Sequence, residues 1–140
     1  MLWEFGEDAD LYDSDGDGTL DASDLGFTYG QPIITKANNG DWVAIFGNGY
    51  NNQYADAYPG SGHAVLYIVR LSDGVLLKKI DTGVNELSTS NGLSSPTTVD
   101  TNGDFKADVV YAGDLEGNLW KFDISGASPS SWDVAYRSGG

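Results

Sequence analysis

The sequence contains no cysteine and only one histidine. A chain without thiols forms no disulfide framework and no thiolate metal site, and one histidine cannot build a transition-metal site or a nucleophilic triad alone. Basic residues are also scarce, because 7 Lys and Arg stand against 21 Asp and Glu, a formal net charge of −14. Such a chain lacks the basic stripe that binds nucleic acid phosphates, so we expect no nucleic acid partner.

Long apolar runs are absent too. No stretch approaches the roughly 18 apolar residues of a membrane-spanning helix, so we predict no membrane span, and we find no signal peptide. Met1 leads directly into the sequence Leu-Trp-Glu-Phe, and we predict a strand over residues 1–5. A chain that opens on a strand is expected to start inside a longer protein or to have been processed.

Glycine and large aromatic residues are abundant. The 140 residues include 19 glycines, 8 tyrosines and 4 tryptophans, which is typical of a β protein rich in turns. This length is that of one ordinary domain, and we treat residues 1–140 as a single domain.

The chain repeats itself once, loosely. Pro32 and Pro96 each begin a strand that leads to an Asn-Gly-Asp turn followed by a second apolar strand. The halves that follow match as well, since residues 62–74 resemble residues 117–126, and each half ends in one more strand. Four short strands per repeat are the signature of a β-propeller blade. We therefore predict an all-β fold of four-stranded antiparallel blades: a first blade over 30–83, a second over 95–140, and a leading strand.

Two loops carry carboxylates at the spacing of a calcium site. The first loop, which we interpret as an insertion over residues 7–24, has the full twelve-residue spacing of an EF-hand loop, with Asp in place of the usual final Glu. The backbone carbonyl of Thr19 fits the seventh position, and either Asp21 or Asp24 closes the site. The candidate ligands are Asp13, Asp15, Asp17, Thr19, Asp21 and Asp24.

The second loop spans residues 100–108 and is flanked by apolar strands. Its sixth position is Phe105, and its twelfth is Tyr111, which cannot replace a carboxylate. Asp108 must therefore close the site at position nine, and we predict a strand-loop-strand calcium site. The candidate ligands are Asp100, Asn102, Asp104, the carbonyl of Lys106, and Asp108. With both loops filled the chain holds two Ca²⁺ ions, while the matching turn at residues 38–42 lacks the paired aspartates and is interpreted as metal-free.

The aromatic residues and the histidine are given structural roles. We expect the four tryptophans, Trp3, Trp42, Trp120 and Trp132, to wedge between blades. The tyrosines of the polar insertion at residues 48–61 are expected to pack over one face of the propeller, with a contact surface for a partner as the alternative. His63 is assigned a structural or surface role.

Several segments resemble the C-terminal β-propeller of the PilC/PilY family of type IV pilus-associated adhesins. The similar segments are residues 1–5, 24–32, 42–50, 91–94 and 111–123, and the last is the most specific. The resemblance implies a secreted protein of the cell surface, associated with the pilus and the outer membrane. It implies a role in pilus assembly and adhesion, and a calcium loop that controls pilus extension and retraction. That loop matches residues 100–108, so the resemblance implies the same five ligands.

We favour a calcium-binding interaction module and not an enzyme. The expected partners are pilus components or a host or surface receptor. The alternatives are a structural subunit of an extracellular assembly stapled by calcium, and a fragment of a quinoprotein-type propeller dehydrogenase.

Two blades are fewer than the roughly four to eight of a closed propeller. We therefore also expect contact with further blades or with copies of the chain, through residues 1–5 and 132–136.

Overall fold

The computed structural model of the chain describes residues 3–6, 24–52, 60–84 and 90–136. These residues form two four-stranded antiparallel sheets, each with its strands in chain order. The first sheet contains β1 (Ile33–Lys36), β2 (Trp42–Gly47), β3 (Val65–Arg70) and β4 (Leu76–Asp81). The second sheet contains β5 (Thr97–Val99), β6 (Val109–Gly113), β7 (Leu119–Asp123) and β8 (Asp133–Val134), with a short 3₁₀ helix over Pro129–Ser131 before β8. The predicted all-β class with four-stranded antiparallel units is confirmed.

The strands form where β-branched and aromatic residues cluster between turn residues. In β3, five consecutive apolar residues are all buried, which indicates a strand covered on both faces. In β2, Val43 and Ile45 belong to the core, while Trp42 and Phe46 alternate with them on the other face.

One hydrophobic core joins the two sheets. Its largest fully buried side chain is that of Trp132, whose Nε1 donates a hydrogen bond to the carbonyl of Gly126 at 2.7 Å. Ile45, Leu66 and Phe122 are also fully buried in this core. Burying a side chain of this size stabilises the fold by about 1.5–3 kcal/mol, so the sheets are held together mainly by this shared apolar layer.

Hydrogen bonds connect the sheets at both ends of the core. At one end, Ala37 and Ala107 form a parallel bridge, and the amide of Ala107 donates to the carbonyl of Lys36 at 2.9 Å. At the other end, the amide of Gly49 donates to the carbonyl of Leu93 at 3.1 Å.

The second of these ends needs glycine. A Cβ at Gly92 would lie 1.7 Å from the carbonyl oxygen of Gly49, so only a residue without a side chain allows the two backbones to approach this closely. Beside this contact, the buried side chain of Asn48 accepts from the amides of Val65 and Leu93 at 3.1 and 2.9 Å. These contacts fix the first sheet to the segment that leads into the second.

The predicted strand over residues 1–5 is not formed by its described part. Residues 3–6 have no strand assignment. The indole Nε1 of Trp3 donates to the carbonyl of Leu71 at 2.8 Å, and the ring of Phe5 packs against Phe46 and Tyr67 with centroid distances of 5.7 and 5.8 Å. The apolar residues that suggested a strand are used to cover the first sheet of the same chain. The expected intermolecular contact through residues 1–5 assumed an edge strand there, and the described residues 3–6 do not form one.

The four tryptophans do not share one role. Trp132 is buried in the core between the sheets, and Trp120 packs against that core while partly buried. Trp42 is 58% exposed at the start of β2, so the expectation that it wedges between blades is wrong. Its position on the outer face of β2, opposite to Val43, accounts for the difference.

Part of the polar insertion lies outside the described residues, including Tyr54 and Tyr58. The described Tyr50 is 44% exposed, and its ring stacks on that of Tyr29 at 5.8 Å between centroids.

Within the described ranges, no helix has the length and apolar character needed to cross a bilayer.

Candidate metal centre

The loop of residues 100–108 joins β5 to β6 and lies at the end of the sheets where Ala37 meets Ala107. It is anchored on both sides of its last residue, because the amide of Asp108 donates to the carbonyl of Val99 and the amide of Ile124 donates to the carbonyl of Asp108, both at 2.9 Å. The predicted strand-loop-strand arrangement is therefore what the backbone forms.

Side-chain oxygens at alternate positions curl this loop. Asp100 accepts hydrogen bonds from the amides of residues 102, 103 and 105 at 3.2, 2.7 and 2.8 Å. Asn102 Oδ1 then accepts from the amide of Asp104 at 2.9 Å. Desolvation acts to raise the pKa of Asp100, but the backbone amides outweigh it and hold that pKa below its ordinary value. The loop thus holds its first carboxylate ionised.

Asp108 lies at the base of the loop and is only 2% exposed. Its Oδ2 accepts from the hydroxyl and the amide of Thr101 at 2.6 and 2.9 Å, and its Oδ1 accepts from the side-chain amide of Asn38 at 3.0 Å. The Thr101 hydroxyl is the largest of the causes that lower the pKa of Asp108, followed by the Thr101 amide, with Asn38 contributing as well. The expected closing residue is therefore a buried carboxylate held in its charged form by neutral donors.

Lys106 engages this loop in a way that sequence reasoning missed. Its Nζ lies 2.7 Å from Asp104 Oδ2, and this contact raises the pKa of the lysine. The expected contribution of Lys106 was its backbone carbonyl, whereas its ammonium here neutralises one of the loop carboxylates. The neighbouring positions in the sequence carry the signal for this pair, since a lysine two residues from an aspartate in a tight loop can reach it.

Phe105 occupies the position that is glycine in the usual twelve-residue loop. Its φ is +64°, in the left-handed region, and the residue is 89% exposed. A side chain with a Cβ in this region costs roughly 1–2 kcal/mol, so the loop maintains a strained residue at its tip.

The chemistry of the donor set fits a hard cation. Three carboxylates, an amide oxygen and a peptide carbonyl are the oxygen ligands that Ca²⁺ prefers. In the conformation described, no three His, Cys, Asp or Glu side chains of the described residues come together as a metal-binding group. The amides of the loop and the Lys106 ammonium hold the oxygens instead. The loop therefore supplies suitable donors, and Asp104 must release the Lys106 ammonium before it can bind an ion.

In the matching turn of the first sheet, the side chain of Asn39 makes two hydrogen bonds with Asp41. Asn39 Nδ2 donates to Asp41 Oδ2 at 2.8 Å, and Asn39 Oδ1 accepts from the amide of Asp41 at 3.1 Å. A neutral amide therefore satisfies the carboxylate of this turn directly.

Of the candidate ligands in the first loop, only Asp24 belongs to the described residues; Asp13, Asp15, Asp17, Thr19 and Asp21 lie outside them. Asp24 is 6% exposed. Its Oδ1 accepts from the amide and the hydroxyl of Ser61, both at 2.6 Å, and its Oδ2 lies 3.0 Å from Lys79 Nζ. The sequence indicated Asp24 as a possible ligand but gave no signal for the lysine that neutralises it.

His63 has a described partner in the first sheet. Its Nδ1 lies 2.9 Å from Oδ2 of Asp81, the last residue of β4. The structural or surface role expected of this residue agrees with that contact.

Comparison with known proteins connects this fold to a family. The model of the PilY1 β-propeller domain matches residues 1–137. A type IV pilus biogenesis factor PilY1 homolog of Xylella fastidiosa is 40% identical over 147 residues, covering 99% of this chain and 9% of that protein. The type IV pilus biogenesis factor PilY1 of Pseudomonas aeruginosa is 38% identical over 126 residues, covering 90% of this chain and 9% of that protein.

A solved structure gives the same result in three dimensions. The crystal structure of the Pseudomonas aeruginosa PilY1 C-terminal domain matches with a TM-score of 0.76 and 31% identity, covering 96% of this chain and 27% of that one. The chain thus spans less than a tenth of the length of the curated relatives it matches. Sequence, family model and structure agree, and the chain belongs to the PilY1 β-propeller family.

Proposed function

We propose that this chain is a calcium-binding propeller module of a type IV pilus biogenesis factor, acting in pilus assembly and surface attachment. Family membership supports the pilus role, since the relatives are type IV pilus biogenesis factors. The observation that carries the calcium proposal is the curled loop of residues 100–108 above the buried, ionised Asp108. The proposed role is one of binding and not of catalysis, and the relatives give no support to a quinoprotein dehydrogenase.

In this proposal one Ca²⁺ binds in the 100–108 loop through the five expected ligands. Each carboxylate oxygen has two lone pairs, so Asp108 Oδ1 keeps one free while it accepts from Asn38. Asp104 must exchange the Lys106 ammonium for the ion, which is favourable because a divalent cation interacts more strongly with the clustered carboxylates. Binding then orders the loop, and calcium concentration regulates pilus extension and retraction through that ordering.

A second Ca²⁺ binds in the first loop, and we propose that Asp21 closes it. Asp24 supports this choice because its oxygens already accept from Ser61 and face Lys79. Asp24 then anchors the end of the loop to the first sheet without coordinating the ion.

The proposed partners are pilus components or a surface receptor, together with further propeller blades. The proposed location is the cell surface, in association with the pilus. The surplus of acidic over basic residues is compatible with such a role, since net charge keeps an exposed module soluble.

Calorimetric calcium titration tests this function. Asp104→Asn removes a ligand charge from an exposed part of the loop, and Asp108→Ala removes the closing carboxylate. We expect each to weaken calcium binding at this loop at least tenfold, about 1.4 kcal/mol. Asp73→Asn is the matched control, since that residue pairs with Arg70 in a turn of the first sheet. Unchanged binding in both loop variants, or no binding by the unaltered chain, would refute the assignment.

A further inference from the structure

The side chain of Asn38 crosses from the first sheet to the second. It lies in the turn between β1 and β2, and its Nδ2 is within hydrogen-bonding distance of three oxygens of the second sheet. These are the carbonyl of Ala107 at 2.9 Å, Asp108 Oδ1 at 3.0 Å and the carbonyl of Ile124 at 3.2 Å. Three acceptors around one amide group fix its orientation, because a reversed amide would place its own oxygen against all three.

The same junction is joined through the backbone. Ala37 and Ala107 form the parallel bridge between the sheets and are 0% and 2% exposed. The amide of Ala107 donates to Lys36, and the amide of Ala37 donates to Asp41, both at 2.9 Å. The last two residues of the 100–108 loop are therefore clamped to the first-sheet turn by side chain and backbone together.

We propose that Asn38 is a positioning residue that couples calcium binding in the 100–108 loop to the packing of the two sheets. This inference rests on the proposed calcium site. Asn38 holds Oδ1 of Asp108 in place before the ion arrives, so the closing ligand needs little reorganisation on binding. Coupling between two sites is reciprocal, so an ion that immobilises Asp108 also strengthens the junction between the sheets.

Replacing Asn38 can change two quantities that are measured separately: the stability of the calcium-free chain and the affinity of the folded chain for calcium. Replacing a residue that only stabilises the fold lowers the melting temperature but leaves the affinity of the folded chain for calcium unchanged. A positioning residue changes the affinity as well, and it carries the effect of the ion to the first sheet. Amide hydrogen exchange reports this transfer, since the Ala37 amide belongs to the first sheet and makes no contact with the loop carboxylates.

The experiment compares the 140-residue chain with Asn38→Leu by calcium titration and by amide exchange read residue by residue in NMR. We expect Asn38→Leu to raise the dissociation constant about fivefold or more. In the unaltered chain, calcium should slow exchange at Ala37, and in the variant it should not. The control variant is Asn39→Leu, which alters the same turn but removes contacts with Asp41 only. The control amide is that of Gly26, which donates to the carbonyl of Asn48 at 2.9 Å, at the end of the core opposite to Ala37.

Each outcome decides one of the two proposals. If the unaltered chain binds no calcium, the proposed function fails and this inference fails with it. If the chain binds calcium but Ala37 exchange does not respond, the coupling is refuted while the calcium site stands, and this comparison needs no variant to fold. Equal affinities for Asn38→Leu and the unaltered chain would likewise overturn the positioning role alone.

Discussion

An ion pair between Asp24 and Lys79 holds the segment before β1 to the first sheet, and its contribution to stability can be measured by mutation. Their side chains are 8% and 9% exposed, and Lys79 Nζ lies 3.0 Å from Asp24 Oδ2. Replacing Lys79 by methionine keeps the length and the apolar stem of the side chain but leaves the carboxylate without this counter-charge. Breaking a buried pair by removal of one partner costs about 3–5 kcal/mol.

The lower end of that range applies here. Ser61 continues to donate its amide and hydroxyl to Asp24 Oδ1 at 2.6 Å, so the carboxylate remains partly satisfied. We expect Lys79→Met to lower the free energy of unfolding by about 3 kcal/mol. For a chain of this size that corresponds to a fall of about 10 °C in melting temperature.

A double-mutant cycle isolates the pair. Asp24→Asn alone is expected to destabilise the chain by about 2 kcal/mol, because the Lys79 ammonium then faces a neutral amide. The double variant should recover about 1–3 kcal/mol relative to the sum of the single changes. The matched control is Lys121→Met on β7, whose ammonium lies 5.4 Å from the ring of the exposed Tyr136 and whose loss should cost less than about 1 kcal/mol.

Chemical denaturation in the presence of a chelator measures these differences, and a calcium titration of the same variants adds the ligand assignment. If Asp21 closes the first loop, Asp24→Asn leaves the affinity of that loop unchanged. A coupling energy near zero would show that the pair contributes nothing to stability. Weaker calcium binding by Asp24→Asn, together with tighter binding by Asp24→Glu, would show instead that Asp24 is a ligand.

Three further changes test other parts of the fold. Asp114→Asn is expected to cost about 2 kcal/mol at pH 7, since Asp114 accepts from Asn91, Asn118 and the Trp120 indole. Desolvation acts to raise the pKa of Asp114, but these hydrogen bonds outweigh it and hold that pKa below its ordinary value. The stability that the carboxylate contributes is therefore present above about pH 4 and is lost as pH falls through the folded pKa. In acid denaturation, the difference in the free energy of unfolding between the unaltered chain and Asp114→Asn must become smaller in that pH range. Gly92→Ala should cost about 3 kcal/mol or more in thermal unfolding because of the backbone contact at that site, whereas Gly6→Ala, with no atom of the described residues within 4 Å of its added Cβ, should be neutral, and equal stabilities would contradict the contact. Phe105→Asn should stabilise the calcium-free chain by about 0.5–1 kcal/mol in denaturant, because asparagine tolerates the left-handed region better, and a loss of stability would show that the exposed ring makes a useful contact.

The sequence predicts the two sheets well because their signals are local. The apolar run of β3 and the turn residues around it mark a buried strand, and the spacing from Pro32 to Pro96 predicts that the second sheet repeats the first. The alternation of residues in β2 also predicts that Trp42 is exposed. Val43 and Ile45 face the core, and the side chain of Trp42 lies on the opposite face.

The leading segment was predicted less well for a physical reason. Trp3 and Phe5 alternate with polar residues as strand residues do, but a strand also needs a neighbour with free backbone groups. The Trp3 indole instead donates to the carbonyl of Leu71, 68 residues away, and Phe5 packs edge-to-face against aromatic rings of the first sheet. No local pattern distinguishes these two uses of the same side chains.

The last carboxylates of the two candidate loops, Asp24 and Asp108, show the same limit at the site. Asp24 and Asp108 are both buried and both accept from a hydroxyl and an amide. The sequence could not show that the fold gives Asp24 a lysine from β4 and gives Asp108 only the neutral Asn38 from the first sheet. Such partners are separated from the carboxylates by tens of residues, so only the packed structure reveals them.

That difference in partners leaves a different net charge at the two carboxylates, which supports the proposed calcium site in the 100–108 loop. At Asp24 one lysine balances one carboxylate. In the 100–108 loop, Asp100, Asp104 and Asp108 carry three negative charges and Lys106 carries one positive charge, which leaves 1 − 3 = −2. A single Ca²⁺ cancels this surplus, and a chloride or phosphate would increase the repulsion. The expected response to chelator follows: residues 100–108 should lose amide protection first, while the segment anchored by Asp24 keeps its protection because its charge is neutralised by the fold.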